Sequence, residues 1–373
     1  MIATIAEKVE GGERLTPAEA EALFRHPDLT ELGLLAGLAR RRWHPDPVVT
    51  YNVGRNVNYT NVCWVRCDFC AFYRPPGDGE GYVLPQEAIF AKLDELVAVG
   101  GSLPKSCELL MQGGLNPRLR LEWYEELLRA LRDRYPMIHL HSLSATEILY
   151  IAHLSRLSLE ETIRRLRAAG LDSIPGAGAE ILSDEVRDRI GFRKDRVDEW
   201  LEVHRTAHRL GMPTTATMMY GHVESVAQRV EHLTRVRDLQ DETGGFTAFI
   251  AWSFQPENTA LAATPDRWQG RRATGFDHLR TVAVARLFLD NVPNLQASWV
   301  TQGPKIAQIS LHYGVNDFGS TMLEENVVSA AGTAHTGEMN LAEMRRLIAE
   351  AGFEPRRRDT LYRAVPEPAA AVA

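Results

Sequence analysis

The sequence predicts an α/β protein, a (β/α)8 TIM-type barrel with an N-terminal helical extension, and three observations lead there. From Pro47 onward, short β-rich segments alternate with amphipathic helical stretches. Seven or eight such β-then-α units follow one another in a single run, which implies a parallel sheet. Residues able to do chemistry fall just after the predicted strands, where a barrel places its active site. Right-handed crossovers let such a run close on itself; a doubly wound open sheet is the competing arrangement.

Residues 1–45 read as helical and separate from the core. Thr16-Pro17-Ala18-Glu19 starts a helix, with a capping threonine, proline at the first helical position and glutamate three residues after the cap. A second helix over Leu29 to Arg40 completes a lid or clamp over one end of the core. Strands are expected at Val48 to Val53, Cys107 to Met111, Met137 to Leu143, Leu171 to Ile174, Thr214 to Met219, Phe246 to Trp252 and Leu295 to Val300, with a weaker eighth near Val315 to Phe318. Helices are expected at Pro85 to Val99, Leu121 to Leu131, Ser158 to Gly170, Val197 to Leu210, Glu224 to Gln240, Phe276 to Leu289 and around Lys305 to His312. The expected units are 1–45, the barrel over 46–362 and a flexible tail over 363–373.

With 45% hydrophobic and 24% charged residues, the 373-residue chain has an ordinary globular composition. A formal net charge of −7 argues against a nucleic-acid partner. The basic runs Arg40-Arg41-Arg42 and Arg356-Arg357-Arg358 read as solvated faces. No window approaches the roughly 18 apolar residues of a membrane span, so no membrane partner is expected and the chain is placed in the cytoplasm, where free thiols persist.

The loop after the first strand holds three of the 4 cysteines, Cys63, Cys67 and Cys70, spaced Cys-x3-Cys-x2-Cys. Three thiolates on a short loop can hold three irons of a cubane cluster and leave the fourth iron open. A structural zinc site wants a fourth ligand, and no second Cys or His pair lies nearby; an incomplete zinc site and a coincidence of core cysteines are the bland alternatives. Cys107, at the start of strand two, reads as a core residue.

Further candidates follow the strands. In Gln112-Gly113-Gly114 the glycines let the backbone approach a ligand closely. His139 and His141 share one strand face, followed by Ser142, Ser144 and Glu147; hydrogen bonding suits the histidines better than metal ligation, since no third ligand is apparent. Pro175-Gly176-Ala177-Gly178-Ala179-Glu180 offers close backbone approach and a carboxylate for a ribose or ammonium group, with Arg187 and Arg189 able to balance it. Tyr220 and His222 end strand five as substrate contacts, and Trp252 to Thr259 mixes aromatic surface with polar tips. His204 and His208 lack the glutamate of the zinc-protease motif and read as helix-surface residues.

The cysteine spacing, with Phe69 before the third cysteine, resembles the signature of the radical S-adenosylmethionine enzymes. That resemblance implies a [4Fe-4S] cluster held by Cys63, Cys67 and Cys70, its open iron chelated by S-adenosylmethionine, whose cleavage gives a 5′-deoxyadenosyl radical. It implies S-adenosylmethionine binding by Gln112, Gly113, Gly114, Ser142, Glu180 and Arg187, although Leu115 stands where the family's Gly-Gly-Glu has its glutamate. Asn58-Tyr59-Thr60-Asn61-Val62-Cys63, Met111-Gln112-Gly113-Gly114, Gln240 to Phe246 and Phe254 to Thr259 are similar to the enzymes of futalosine-dependent menaquinone synthesis and of deazaflavin synthesis. Ala297 to Lys305 and Asn316 to Val327 look most like the cyclic dehypoxanthine futalosine synthases. The resemblance covers about residues 45 to 362 and implies cyclisation of dehypoxanthine futalosine: loss of the ribose C4′ hydrogen, radical addition to the benzoate ring, then loss of an electron and a proton. His222, Tyr220, His141 and Glu180 are the candidates for taking that proton. An external electron donor such as flavodoxin or ferredoxin is implied, and a homodimer is compatible with the family. Aminofutalosine synthase and deazaflavin (FO) synthase are the near alternatives; a non-catalytic cluster scaffold is the alternative from another class.

Overall fold

The computed structural model describes residues 2–191, 193–333 and 339–366. Nine strands occur among them: β1 (Val48–Asn52), β2 (Gly54–Val57), β3 (Cys107–Met111), β4 (Ile138–Ser142), β5 (Thr214–Tyr220), β6 (Phe246–Ser253), β7 (Asn294–Gln296), β8 (Asp317–Ser320) and β9 (Glu354–Arg357). Every strand pair is parallel, in a six-stranded sheet of order β5-β6-β7-β8-β1-β9 and a three-stranded sheet of order β2-β3-β4. Single bridges join the two. His141 pairs with Ser173 and Ile174 with Thr214, so a two-residue stave connects β4 to β5; Arg55 pairs with Leu323 just beyond β8. Because β1 and β2 are halves of one stretch, the circuit closes as an eight-stave barrel with helices outside.

The closure depends on Gly54. A Cβ there would lie 2.5 Å from the Ser320 hydroxyl and 3.4 Å from the Glu108 carbonyl, so a side chain would wedge the staves apart. Helix starts follow their sequence signals: the Thr16 hydroxyl accepts the Glu19 N–H, and the Ser158 hydroxyl accepts the Glu161 N–H.

Several expectations are corrected. The seventh strand stops at Gln296, and Trp299 and Val300 instead open the helix Trp299–Ser310, which breaks at Gly303 (φ 78°) before Pro304. Residues 171–172 lie outside the fourth stave, which is only Ser173 and Ile174. The helix Ala145–Ser155, begun by a Ser144–Glu147 capping box, adds to the expected elements. His204 is fully buried between Trp200 and Phe246, and His208 hydrogen-bonds Thr243 and Thr214; an amphipathic helix turns these two i, i+4 residues inward.

The basic runs are corrected in part: Arg41, Arg42 and Arg356 are exposed as expected, and the other three arginines are not. Arg40 is buried and donates to the Val48 carbonyl. Arg357 and Arg358 are 4% and 3% exposed, because β9 runs beside β1 and carries them into the lower end of the barrel. Arg357 donates to the Gly100 and Ser106 carbonyls, and Arg358 makes a two-pronged pair with Asp317. Of the expected tail 363–373, residues 367–373 lie outside the described residues.

Helices α1 (Ile2–Gly11), α2 (Pro17–Arg25) and α3 (Leu29–Trp43) pack at the strand N-terminal end. There His44 meets the Pro293 carbonyl, and Arg14 pairs with Asp241 and Asp290. None of their residues lines the central cavity described below. Among the described residues, no helix is long and apolar enough to cross a membrane.

Burial holds His139, His232 and His278 neutral, with pKa values pushed down to about 3. His232 uses Nδ1 to accept the Leu182 N–H, and the Tyr220 hydroxyl meets Nδ1 of His278. The unfolded chain takes up these protons below pH ~6.5 while the folded chain does not, so stability falls with pH by up to about 1.4 kcal/mol per pH unit for each histidine. The guanidinium unfolding midpoint is therefore expected to drop steadily between about pH 6.5 and pH 5; a level midpoint over that window would contradict the neutral burial.

Candidate active site

After β2 the chain runs through residues 58–74 with neither helix nor strand. Its backbone groups need partners elsewhere, and they find them. The Cys63 N–H donates to the Arg74 carbonyl (2.9 Å), Trp64 to Leu115 (3.3 Å) and Asp68 to Ile190 (2.9 Å), while the Asp68 carbonyl accepts from Leu261 (2.8 Å). The asparagines of Asn58-Tyr59-Thr60-Asn61 do similar work. Asn58 Nδ2 donates to the Gln112 carbonyl; Asn61 donates to the Glu80 carbonyl and accepts the Tyr82 N–H.

Cys63, Cys67 and Cys70 are half-buried free thiols on this loop. Burial pushes Cys70 up to about 11 and Cys67 still higher, so these sulfurs ionise only against a positive charge such as bound metal. The ammonium of Lys194, itself 4% exposed, acts on Cys67. Among the described residues no three Cys, His, Asp or Glu side chains are grouped as ready-made ligands of one ion. Three thiolates that each take a different iron of a cubane need not converge, and an all-thiolate set suits iron–sulfur. The residues therefore fit a [4Fe-4S] cluster with one open iron.

Gln112-Gly113-Gly114 packs directly under the loop. A Cβ on Gly114 would strike the Val62 carbonyl and lie 2.9 Å from Cys63 Cβ; one on Gly113 would lie 2.8 Å from the Tyr59 ring. The Gly113 N–H donates to Glu147 Oε1 (2.9 Å), which also accepts the Tyr59 hydroxyl (2.7 Å). Gly114→Ala is expected to lower the iron retained after reconstitution well below about four per chain, because the added methyl displaces the cysteine loop. Iron content checks it, and full retention would contradict the close packing.

Beyond the loop lies a cavity of about 410 Å3, whose lining includes Phe69, Gln112, His141, Glu180, Trp252 and Arg358. Gln112 and Gly113 line it, as do His141 and Glu180. Glu180 sits at φ 45°, a left-handed conformation strained for a side chain, and pairs with Lys194 at 3.1 Å. Arg187 does not balance Glu180. Its guanidinium binds Asp195 (2.6 Å) and the Gly178 and Ala179 carbonyls, which makes it a brace for the glycine turn. Ser142 is buried outside the lining, with its hydroxyl on the Leu109 carbonyl. Tyr220 and His222 are turned away from the cavity: Tyr220 meets His278, while His222 meets the Met219 carbonyl and lies 3.4 Å from Glu224. The strand ends one residue after the position expected, and its side chains alternate, so Thr215 and Thr217 face inward instead.

Gln112, already a candidate, and residues that the sequence did not single out complete the wall. Asn56 Oδ1 and Gln112 Nε2 are buried without a partner among the described residues, in side chains that line the cavity. Trp299 donates its indole N–H to the Ser320 carbonyl and closes one side. Arg358, stacked 4.0 Å from the Tyr362 ring centroid, and Tyr362 itself form the floor. Lys194 and Arg358 carried no local signal; Asn56, just ahead of the cysteine motif on an inward strand position, was legible in principle.

Comparison with known proteins matches residues 57–236 to the radical SAM superfamily and 243–371 to the CofH/MqnC C-terminal region. The chain is 49% identical over 358 residues, covering 96% of itself and 93% of the relative, to a cyclic dehypoxanthine futalosine synthase of Halalkalibacterium halodurans. It is 41% identical to an aminodeoxyfutalosine synthase of Thermus thermophilus, with 97% and 95% of the two chains covered. Among solved structures, methylornithine synthase (PylB) superposes with a TM-score of 0.71 at 17% identity, covering 95% of this chain and 97% of that one, a likeness of fold.

Proposed function

We propose, because this chain belongs to the radical S-adenosylmethionine superfamily and to its branch with a CofH/MqnC C-terminal region, that it cyclises dehypoxanthine futalosine in menaquinone biosynthesis. It is an enzyme of the radical SAM kind, and its cofactors are a [4Fe-4S] cluster and S-adenosylmethionine. The observation that carries the specific reading is the 49% identity to a synthase of that name along nearly the whole of both chains. When bound, the two cofactors supply a 5′-deoxyadenosyl radical able to remove an unactivated hydrogen.

Cys63, Cys67 and Cys70 would hold the cluster. Gln112, Gly113 and Gly114 would bind S-adenosylmethionine, with Glu147 keeping the Gly113 amide in place. Glu180 would offer its carboxylate to the same molecule, with Arg187 and Lys194 holding that turn. The substrate lies between Trp252, Trp299 and the polar staves. It loses its ribose C4′ hydrogen, joins C4′ to the benzoate ring, and then gives up one electron and one proton. The electron supplied at the start equals the one released at the end, so substrate and S-adenosylmethionine give product, 5′-deoxyadenosine, methionine and a proton. Of the four candidate bases only His141 and Glu180 line the cavity. Glu180 is held by Lys194, whereas burial lowers the pKa of His141 and keeps it neutral, which suits a base. Enclosure excludes water and keeps the reacting carbons in contact. Residues 46–362 act as one catalytic unit, since β9 and residues 358–362 supply the floor.

The test is anaerobic turnover with dehypoxanthine futalosine, S-adenosylmethionine and a flavodoxin- or ferredoxin-class reductant. The expected result is equal amounts of 5′-deoxyadenosine and a product lighter by two hydrogens; 5′-deoxyadenosine with unchanged substrate would overturn the assignment.

A further inference from the structure

Behind His141, the base assigned above, the cavity wall holds two further groups in one hydrogen-bonded chain, Ser173 and His139. His139 and His141 stand two residues apart on β4, so their rings leave the same face. The next stave is Ser173–Ile174, locked beside them by the Ser142 N–H on the Ser173 carbonyl (3.1 Å) and by the Ser173 N–H on the Leu140 carbonyl (3.3 Å). Ser173, 2% exposed, places its hydroxyl oxygen 2.6 Å from His141 Nδ1 and 2.7 Å from His139 Nε2. The His141 ring lines the cavity while His139 and Ser173 lie behind it.

A hydroxyl carries one proton and two lone pairs, so it can accept an N–H from one ring while donating its O–H to the other. That arrangement, three groups in line with short contacts, is able to pass a proton along.

We propose that His141, Ser173 and His139 form a proton relay that draws the proton of the re-aromatising ring carbon out of the cavity. The proposal rests on the cyclisation assigned above. In the relay the ring carbon of the cyclised adduct gives its proton to His141 Nε2, the proton on His141 Nδ1 passes to the Ser173 oxygen, and the hydroxyl proton of Ser173 passes to His139 Nε2. The adduct becomes one charge more negative, His139 one charge more positive, and His141 is neutral again; the later loss of an electron from the adduct does not involve these groups. At His139 burial, His141, Lys105 and Arg132 disfavour a cation and Asp172 favours it; at His141 burial and Arg358 disfavour a cation and Glu108 favours it. Burial keeps His139 neutral at rest and so free to receive. Carrying the proton behind the wall separates it from the adduct, and return to the ring carbon is slowed.

The relay demands particular tautomers, which nitrogen-15 NMR of histidine-labelled enzyme reads directly with the cluster oxidised and no substrate present. The expected result is a protonated Nδ1 on His141 and an unprotonated Nε2 on His139. Protonation of both nitrogens that face Ser173 would overturn the relay, because the hydroxyl would then accept from both rings and pass nothing. In turnover, Ser173→Ala is expected to lower product formation by about tenfold, less than the roughly 10²–10⁴-fold of a missing general base. The 5′-deoxyadenosine formed per product should rise above one, since a stalled substrate radical takes an electron from the external reductant and a proton from solvent, and the restored substrate is abstracted again. Ser173→Thr, which keeps the hydroxyl, should restore the one-to-one ratio. An unchanged rate and ratio in Ser173→Ala would overturn the relay while leaving the cyclisation intact. A wild-type enzyme that makes no cyclised product would remove the cyclisation assignment, and the relay with it.

Discussion

Cys63→Ala, Cys67→Ala and Cys70→Ala are each expected to abolish 5′-deoxyadenosine formation and to reduce bound iron sharply. Each thiolate takes one iron of the cubane, and no other Cys or His stands ready on the loop to replace it. The surrounding scaffold should survive the change. The loop is anchored by backbone bonds to Arg74, Ile190, Leu115 and Leu261 rather than by the sulfurs, so the variants should stay folded while losing function. Cys107→Ala provides the contrast. Its sulfur is fully buried near Gly101 and Arg357, remote from the cluster loop, and the variant should keep full iron. Iron and sulfide analysis with anaerobic S-adenosylmethionine cleavage checks all four; a triad variant that retained both iron and cleavage would contradict the assignment.

The second large effect is expected at the barrel floor. Arg358 and Asp317 are 3% and 0% exposed and meet through two contacts, while Asp317 also accepts the Thr50 hydroxyl and the Gly319 N–H. Removing one member leaves the other charged and unpaired in a low-dielectric interior, which costs about 3–5 kcal/mol. Arg358→Leu should therefore lower the unfolding free energy by that amount, and its loss from the cavity lining should reduce turnover as well. The double variant Arg358→Leu with Asp317→Leu should recover much of the stability, because removing both charges removes the desolvation penalty along with the attraction. Guanidinium unfolding of the three proteins measures this. A single variant within about 1 kcal/mol of wild type would mean that water reaches the pair and that the floor is open.

These two regions differ in how much the sequence discloses. The cysteine loop is local: three ligands and their spacing lie close together along the chain, so a cluster with one open iron is legible from the residues alone, while the reaction it serves comes from the family resemblance. The alternation of strand and helix patterns likewise discloses the barrel, since each stave needs its own apolar face. The floor is not local. Arg357 and Arg358 sit in a basic run that resembles any solvated surface, and only the parallel pairing of β9 with β1 turns them inward. The fourth stave is legible in place but not in extent: a strand is expected over Leu171 to Ile174, and only Ser173 and Ile174 hold it, by single bridges. Trp299 and Val300 continue the apolar pattern of strand seven but start a helix, since the chain must turn over the cavity before Gly303 and Pro304. At Tyr220 and His222 the sequence correctly identifies a strand end but not which side chains point inward, a matter of register by one residue. Lys194 reaches Glu180 from a segment that carries no motif of its own.

Hydrogen abstraction from the ribose C4′ position is the central claim, and a substrate deuterated at that carbon tests it most directly. Anaerobic turnover of 4′-deuterated dehypoxanthine futalosine should deliver one deuterium into 5′-deoxyadenosine and none into the cyclised product. Cyclised product formed together with deuterium-free 5′-deoxyadenosine would contradict the account.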